Sequence, residues 1–218
     1  QLEPVVFSPE FFRKLGIFAQ HQALQLSIHL DLDTGMNRLG FEAAQLEELK
    51  TLIQQYPQLH LASLYTHLVG ADEEAHHDFS LQQLQQFMEM SDSICSILSY
   101  RPLRHALNSA GIVRYPDYQL DLVRLGIGLY GVEVTGKHDR SLKAVSTLKT
   151  TISQLKTLAP GATVGYSRKG SLPEGGRIAT LAIGYADGYD RRFSQGKGYV
   201  LIHGQKAPVI GNVCMDMV

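Results

Sequence analysis

Between Pro4 and Gly131, short apolar runs alternate with stretches of helical spacing, and this alternation limits the possible folds more than any other feature of the chain. Pro4–Phe7, Leu26–Leu32, Leu59–His67, Arg104–Leu107 and Leu120–Tyr130 read as strands. Glu42 to Tyr56 has helical spacing through Leu46, Leu49, Leu52 and Ile53 and stops at Pro57. Leu81 to Leu98 repeats the pattern on Leu84, Phe87, Met88, Ile94 and Ile97, while Gln82, Gln83, Gln85 and Gln86 read as a polar helix face. Strands separated by helices imply a parallel sheet with the helices outside. About five strands are too few to close an eight-stranded barrel. The expectation is a partial barrel whose earlier strands lie before Gln1.

The pattern changes after Val132. Residues 133–141 are polar, with Gly136, Lys137 and Asp139, and suit a linker. From 142 to 218 the sequence shows β-type runs at Ala144–Leu155, Ile178–Ile183, Tyr199–His203 and Ala207–Val213, broken by Pro160-Gly161, Pro173 and Gly175-Gly176. An all-β domain is expected there, after a barrel part at 1–132. Hydrophobic residues are 44% and charged residues 19% of the chain, as in globular proteins. A net charge of −1 gives no basic field for nucleic acid or anionic lipid. No apolar run approaches the ~18 residues of a membrane span. Cys95 and Cys214 make no disulfide framework, and a reducing cytoplasm is the expected setting. The chain opens on Gln1 and stops at Val218 inside an apolar run, and it reads as a piece of a longer protein.

Several residues carry chemistry. HLDLDTGMNRLGF, from His29 to Phe41, runs from an alternating strand into Asp-Thr-Gly and then places Arg38 beyond the strand end, where barrel enzymes hold anionic substrates. HALNSAG offers Asn108 and Ser109, and VRLGIGLYG offers Gly126, Ile127 and Gly128. A serine hydroxyl and loop amides beside glycines surround a phosphate without bulky side chains. Asn-Ser-Ala-Gly by itself is more often an ordinary turn. Arg124 lies in an apolar run two positions before the glycines, either as a surface arginine on an edge strand or as a functional cation. Taken singly, His67 reads as a core histidine, Tyr166 as a half-buried strand residue, and Cys214 and Met215 as packing. No metal-ligating set is assigned.

Together with YTHLVGADE, VGYS, IGYADGYDRR and NVCMDM, these segments resemble the alanine racemases, pyridoxal-phosphate enzymes, and occur in the family's order. The resemblance implies a partial TIM (β/α)8 barrel followed by a β domain. It implies that Arg124 faces the pyridine nitrogen of pyridoxal phosphate, supported by His105. Asn108, Ser109, Gly126 and Ile127 then belong to the phosphate site. Arginine stays protonated, so the ring nitrogen only accepts and the cofactor is a weaker electron sink. Tyr166 corresponds to one of two catalytic bases, hydrogen-bonded by His67; the other base is the cofactor-binding lysine. Arg38 and the N–H of Met215 correspond to the groups that hold the substrate carboxylate. Asp72, Tyr185, Arg191, Cys214 and Asp216 match supporting positions. The family builds its site across a homodimer, so Tyr166 and Met215 are expected to serve the partner's barrel.

Two residues depart from the family pattern. Asp31 stands where many members carry a carbamylated lysine, and its carboxylate is a candidate to orient Arg38 instead. Asn212 stands where relatives often have an arginine. None of the nine lysines, from Lys14 to Lys206, ends an apolar strand before Tyr-Gly as the cofactor lysine does. The chain by itself is therefore expected to be inactive. The complete protein is expected to interconvert L- and D-alanine and supply D-alanine for peptidoglycan. A racemase of serine or another small amino acid stays open, as does a non-catalytic fragment or part of a fusion with a cell-wall ligase.

Overall fold

Ser8 accepts a hydrogen bond from the N–H of Phe11 at 3.2 Å, and Pro9 occupies the first helical turn. The two residues start a helix that periodicity alone does not announce. This computed structural model describes residues 2–136 and 142–218; part of the expected linker, 137–141, lies outside the described residues. Two compact units are present, Gln1–Ser146 and Thr147–Val218.

The first unit alternates β1 (Val5–Val6), α1 (Pro9–His21), β2 (Leu26–Asp31), α2 (Leu46–Gln55), β3 (Leu59–Tyr65), α3 (His77–Cys95) and β4 (Leu103–His105). The four strands form one parallel sheet in chain order. Helix α1 escapes a periodicity search because two of its three buried residues, Gly16 and Ala19, are small. Gly16 is required: a Cβ there would lie 2.5 Å from the Tyr56 ring.

The sheet has two different faces. Ile28, Leu30, Leu32, Leu61 and Leu64 are fully buried and belong to one cluster with Phe12, Leu49 and Phe87 of the helices. Burying each such side chain contributes about 1.5–3 kcal/mol. Between them on β2 stand His29 and Asp31. Ile28 pairs with Leu61, but His29 pairs with Ser63, so Ala62 is an extra residue in β3. This bulge puts Ser63 and Tyr65 opposite His29 and Asp31, and Leu64 opposite Leu30.

The strand expected at Leu120–Tyr130 does not form. Leu120 has a positive φ of 52°, Leu122, Val123 and Leu125 are exposed, and Ile127–Tyr130 is a 3-10 turn. The Arg124 N–H reaches the carbonyl of Leu107 at 3.0 Å. The Asp121 N–H likewise reaches the carbonyl of Arg104 at 3.1 Å, and the Arg124 side chain takes the carbonyl of Ala106 and shares that of His105 with the N–H of Thr66. Residues 109–114 instead form a short helix, α4 (Ser109–Arg114), capped by Asn108, whose side chain accepts from the N–H of Gly111.

The second unit has no α-helix among the described residues. Antiparallel pairs join β5 (Ile152–Leu158) to β8 (Gly176–Leu181), β6 (Ala162–Val164) to β7 (Gly170–Leu172), and β9 (Tyr199–Ile202) to β10 (Gln205–Pro208). The β9–β10 turn is His203-Gly204 with both φ values positive, the twist a two-residue hairpin needs. The strand expected from Ala144 begins at Ile152, and the one expected at Ala207–Val213 lies at Gln205–Pro208. The β6–β7 pair has no counterpart in the sequence pattern, because three-residue strands carry too little of it.

Gln83 corrects the reading of a polar helix face: it is 1% exposed. It accepts from the N–H of Val69 at 3.0 Å and donates to Thr34 Oγ1 and the carbonyl of His67, each at 3.3 Å. Thr34 and Thr66 share a hydrogen bond of 2.7 Å. One helix side chain thus ties together the loops that follow β2 and β3. Gln83→Leu keeps the bulk and orphans these groups, so it is expected to cost about 1–3 kcal/mol, measured as a lowered urea midpoint of the full-length protein.

Candidate active site

The site residues of the first unit come from the carboxyl ends of the strands and the loops beyond them. Arg124 is central. Its Nη1 donates to Nδ1 and to the carbonyl of His105, and its Nη2 donates to the carbonyls of Thr66 (2.6 Å) and Ala106 (3.1 Å). These bonds use all four Nη hydrogens, and Nε–H alone has no partner among the described residues. The guanidinium also lies 5.1 Å above the centroid of the Tyr65 ring, which stacks on His105 at 5.2 Å and 2°. Burial, and then the Arg124 charge, pushes His105 down to about 4, so its ring is neutral at physiological pH.

Asp31, at the end of β2, accepts a hydrogen bond from Tyr65. Burial pushes its carboxyl up to about 6 against the pull of that bond, with Asp33 adding to the rise and Arg124 and Arg38 opposing it. Burial, then Asp31, pushes the Tyr65 phenol up to about 12. The expected pairing of Asp31 with Arg38 is not seen: no ion pair joins them, and the partner of Asp31 is Tyr65. Tyr65 opens the YTHLVGADE segment, yet nothing in that segment marks it as a site residue, because its role depends on the register set by the Ala62 bulge.

Arg38 is exposed on a loop shaped by Asp33, whose Oδ1 accepts from the N–H groups of Gly35 (2.9 Å) and Asn37 (3.1 Å). Gly40 closes the loop at φ 119°, where a Cβ would lie 2.8 Å from the Asp33 nitrogen. His67 is half-buried. Burial, then Arg124 and Arg38, lowers its pKa, which favours the neutral ring. Asp72 is exposed on the loop after β3, apart from this cluster.

Ser109 Oγ accepts from the N–H groups of Gly126 (2.9 Å) and Gly128 (3.1 Å). Its own hydroxyl proton is therefore left to donate outward. The N–H of Ile127, between them, has no partner among the described residues. A Cβ on Gly126 would lie 3.6 Å from Ser109 Oγ, in the space before the hydroxyl. Asn108 acts on the backbone instead: besides capping α4, its amide donates to the carbonyl of Leu68 at 3.4 Å.

In the second unit, the N–H groups of Tyr185 and Ala186 donate to the carbonyls of Cys214 and Met215, each at 2.9 Å. Gly184 makes this approach possible, since a Cβ would come within 2.4 Å of those backbone atoms. Arg191 lies 5.4 Å above the Tyr185 ring. The N–H of Met215 has no partner among the described residues, and Asp216 is exposed. Cys214 directs its Sγ to the carbonyl of Asn212 at 3.5 Å, and the Asn212 amide accepts from Gln195 at 2.9 Å. Tyr166 is 74% exposed on a 3-10 turn in which Ser167 and Arg168 take positive φ values of 56° and 54°.

Comparison with known proteins gives this geometry a family. The model for the N-terminal domain of alanine racemase matches residues 1–134, and that for the C-terminal domain matches 145–218. The chain belongs to the alanine racemase family. It is 37% identical over 220 residues to the alanine racemase of Clostridium kluyveri, covering 99% of this chain and 56% of that enzyme. The crystal structure of alanine racemase from Bartonella henselae, with covalently bound pyridoxal phosphate, matches with a TM-score of 0.84 at 29% identity, over 99% of this chain and 58% of that one. Alanine racemase of Clostridium difficile 630 in complex with cycloserine matches with a TM-score of 0.83 at 30% identity, over 98% and 55%. The chain thus spans a little more than half the length of these relatives. Its parallel sheet is part of a TIM-type barrel, followed by the β domain of the family.

The buried Asp31 has a consequence for stability. Its folded pKa of about 6 lies above the ordinary 3.8, so between roughly pH 4 and 6 the folded state keeps a proton that the unfolded chain has lost. Stability from this group is complete below that window and is lost as pH rises through it. Relative to Asp31→Asn, the wild type is expected to lose thermal stability from pH 4 to 6 and to hold a constant gap above pH 7. A gap independent of pH between 4 and 7 contradicts the assignment.

Proposed function

We propose that these residues are part of an alanine racemase that binds pyridoxal phosphate and interconverts L- and D-alanine. The observation that carries the reading is the donor arrangement of Arg124, with every Nη hydrogen spent on neutral acceptors and Nε–H left over beside a stacked Tyr65–His105 pair. That is a site for one aromatic nitrogen acceptor. The Ser109 hydroxyl and the Ile127 N–H, in a loop of glycines, fit the phosphate of the same molecule. The residues present therefore suit this cofactor.

When bound, pyridoxal phosphate supplies an electron-withdrawing ring that makes the α-proton of an attached amino acid removable. Arg124 would donate to the ring nitrogen and keep its proton, which would limit the electron sink and suit a brief proton exchange over deeper chemistry. The Ser109 hydroxyl and the Ile127 N–H would hold the phosphate, with Gly126 leaving the space before the hydroxyl open. Arg38 and the Met215 N–H bind the substrate carboxylate. Tyr166 exchanges the α-proton on one face, with His67 as its hydrogen-bond partner and a base on the opposite face completing the reaction. The family's covalent lysine has no counterpart among the nine here, and the proposal takes it from sequence outside these residues.

We further propose a homodimer in which residues 1–132 form the cofactor side of each site, 142–218 form the β domain, and Tyr166 and Met215 serve the partner subunit. The exposure of Tyr166 and the unpartnered N–H of Met215 support this. The setting is cytoplasmic supply of D-alanine for peptidoglycan; among the described residues no helix is long and apolar enough to cross a membrane.

Tyr166→Phe in the full-length protein is expected to retain the cofactor absorbance while racemisation falls about 10²–10⁴-fold in both directions. Exchange of the α-proton survives for one enantiomer. Mixing this variant with a subunit lacking the covalent lysine rebuilds one intact site per heterodimer and restores part of the activity. Proven heterodimers that stay inactive contradict the shared site, and a Tyr166→Phe variant at parental rate contradicts the two-base assignment.

A further inference from the structure

Behind Arg124 the hydrogen bonds continue across the whole sheet. His105 Nε2 lies 3.1 Å from Ser63 Oγ, Ser63 Oγ lies 2.7 Å from His29 Nδ1, and His29 Nε2 lies 3.0 Å from a carboxylate oxygen of Glu3. The series takes β4, β3, β2 and the segment before β1 in turn. Ser63 and His105 are buried, His29 is partly buried, and Glu3 opens to solvent.

The direction of the first two bonds follows by elimination. A guanidinium only donates, so His105 Nδ1 accepts from Arg124. The neutral His105 ring then carries its proton on Nε2 and donates it to Ser63. In a one-way series Ser63 Oγ, having accepted, turns its own proton to His29 Nδ1, and the His29 proton on Nε2 points to Glu3. A second N–H donated to Ser63 from His29 Nδ1 would end the series at the serine.

We infer that Ser63, His29 and Glu3 are positioning residues that form a one-way hydrogen-bond relay from Arg124 to a surface carboxylate, fixing the tautomer of His105 and the plane of the Arg124 guanidinium. The immediate acceptors of Arg124 are neutral carbonyls and an imidazole, so the relay links it to Glu3 with no carboxylate hydrogen-bonded to the guanidinium among the described residues. Hydrogen bonds in such a series polarise one another and strengthen together. The guanidinium remains a full cation, with Nε–H held toward the cofactor. The relay itself stands on the barrel geometry; its effect on the reaction rests on the racemase reading.

Nitrogen-15 NMR of the full-length protein with labelled histidine rings tests the relay without reference to activity. At pH 7.5, His105 and His29 are both expected as neutral rings protonated on Nε2. A proton on Nδ1 of either ring, or a His29 imidazolium, overturns the relay. Ser63→Ala is expected to shift the His29 Nδ1 resonance, to lower kcat about fivefold for loss of one hydrogen bond, and to move KM by less than roughly twofold. Ser63→Thr restores both the resonance and kcat. Unchanged His29 resonances in Ser63→Ala overturn the relay. If Ser63→Ala fails to fold, Glu3→Leu decides: it removes the acceptor at the surface, so the His29 Nε2 resonance is expected to move, and an unmoved resonance overturns the link to Glu3. Full-length protein that shows both tautomers but binds no pyridoxal phosphate refutes the racemase reading and leaves the relay standing.

Discussion

The guanidinium of Arg124 donates to the carbonyls of Thr66, His105 and Ala106 at the end of the sheet, and it shares the His105 carbonyl with the N–H of Thr66. A buried unpaired carbonyl costs about 1–3 kcal/mol. One side chain thus serves the carbonyls of Thr66 and Ala106 and closes this end of the sheet. The same bonds decide how Arg124 meets a ligand, because a guanidinium with both Nη groups committed cannot rotate. Structural and chemical demands thus fall on one residue, and Arg124→Lys is not conservative, since an ammonium cannot reproduce the planar fork.

The surrounding groups are held in a comparable way. Gln83 pins the loops beyond β2 and β3 from the helix side, Asp33 shapes the loop bearing Arg38, and Ser109 gathers two glycine N–H groups. Each gives backbone N–H groups of a site loop a fixed acceptor. Such sites are rigid before any ligand arrives, and little ordering is left to oppose binding.

Much of this is legible in the sequence, and the exceptions have physical causes. The strand–helix alternation and the change to β structure after the barrel part follow from periodicity, while the residues around Arg124 are marked by the resemblance of their segments to the alanine racemases. Helix α1 leaves no periodic trace because small residues form much of its buried face. The run at Leu120–Tyr130 reads as a strand because its residues are apolar, yet the Arg124 side chain takes the carbonyl of Ala106 and shares that of His105. Gln83 reads as solvated because one buried glutamine among exposed ones leaves no pattern. Tyr65, Ser63 and His29 are silent for a different reason: their meeting depends on strand register, which no single segment encodes.

That register turns on one extra residue. Were β3 regular from the Ile28–Leu61 pair onward, His29 would face Ala62 and Asp31 would face Leu64. Tyr65, Ser63 and the apolar side chains after the bulge would exchange faces, sending polar groups into the helix layer and leucines into the site. The site therefore depends on where β3 carries its irregularity: with the unpaired residue moved beyond Tyr65 the same side chains would stand on the wrong faces, so the position of one residue that pairs with nothing is as much a part of the site as any side chain in it.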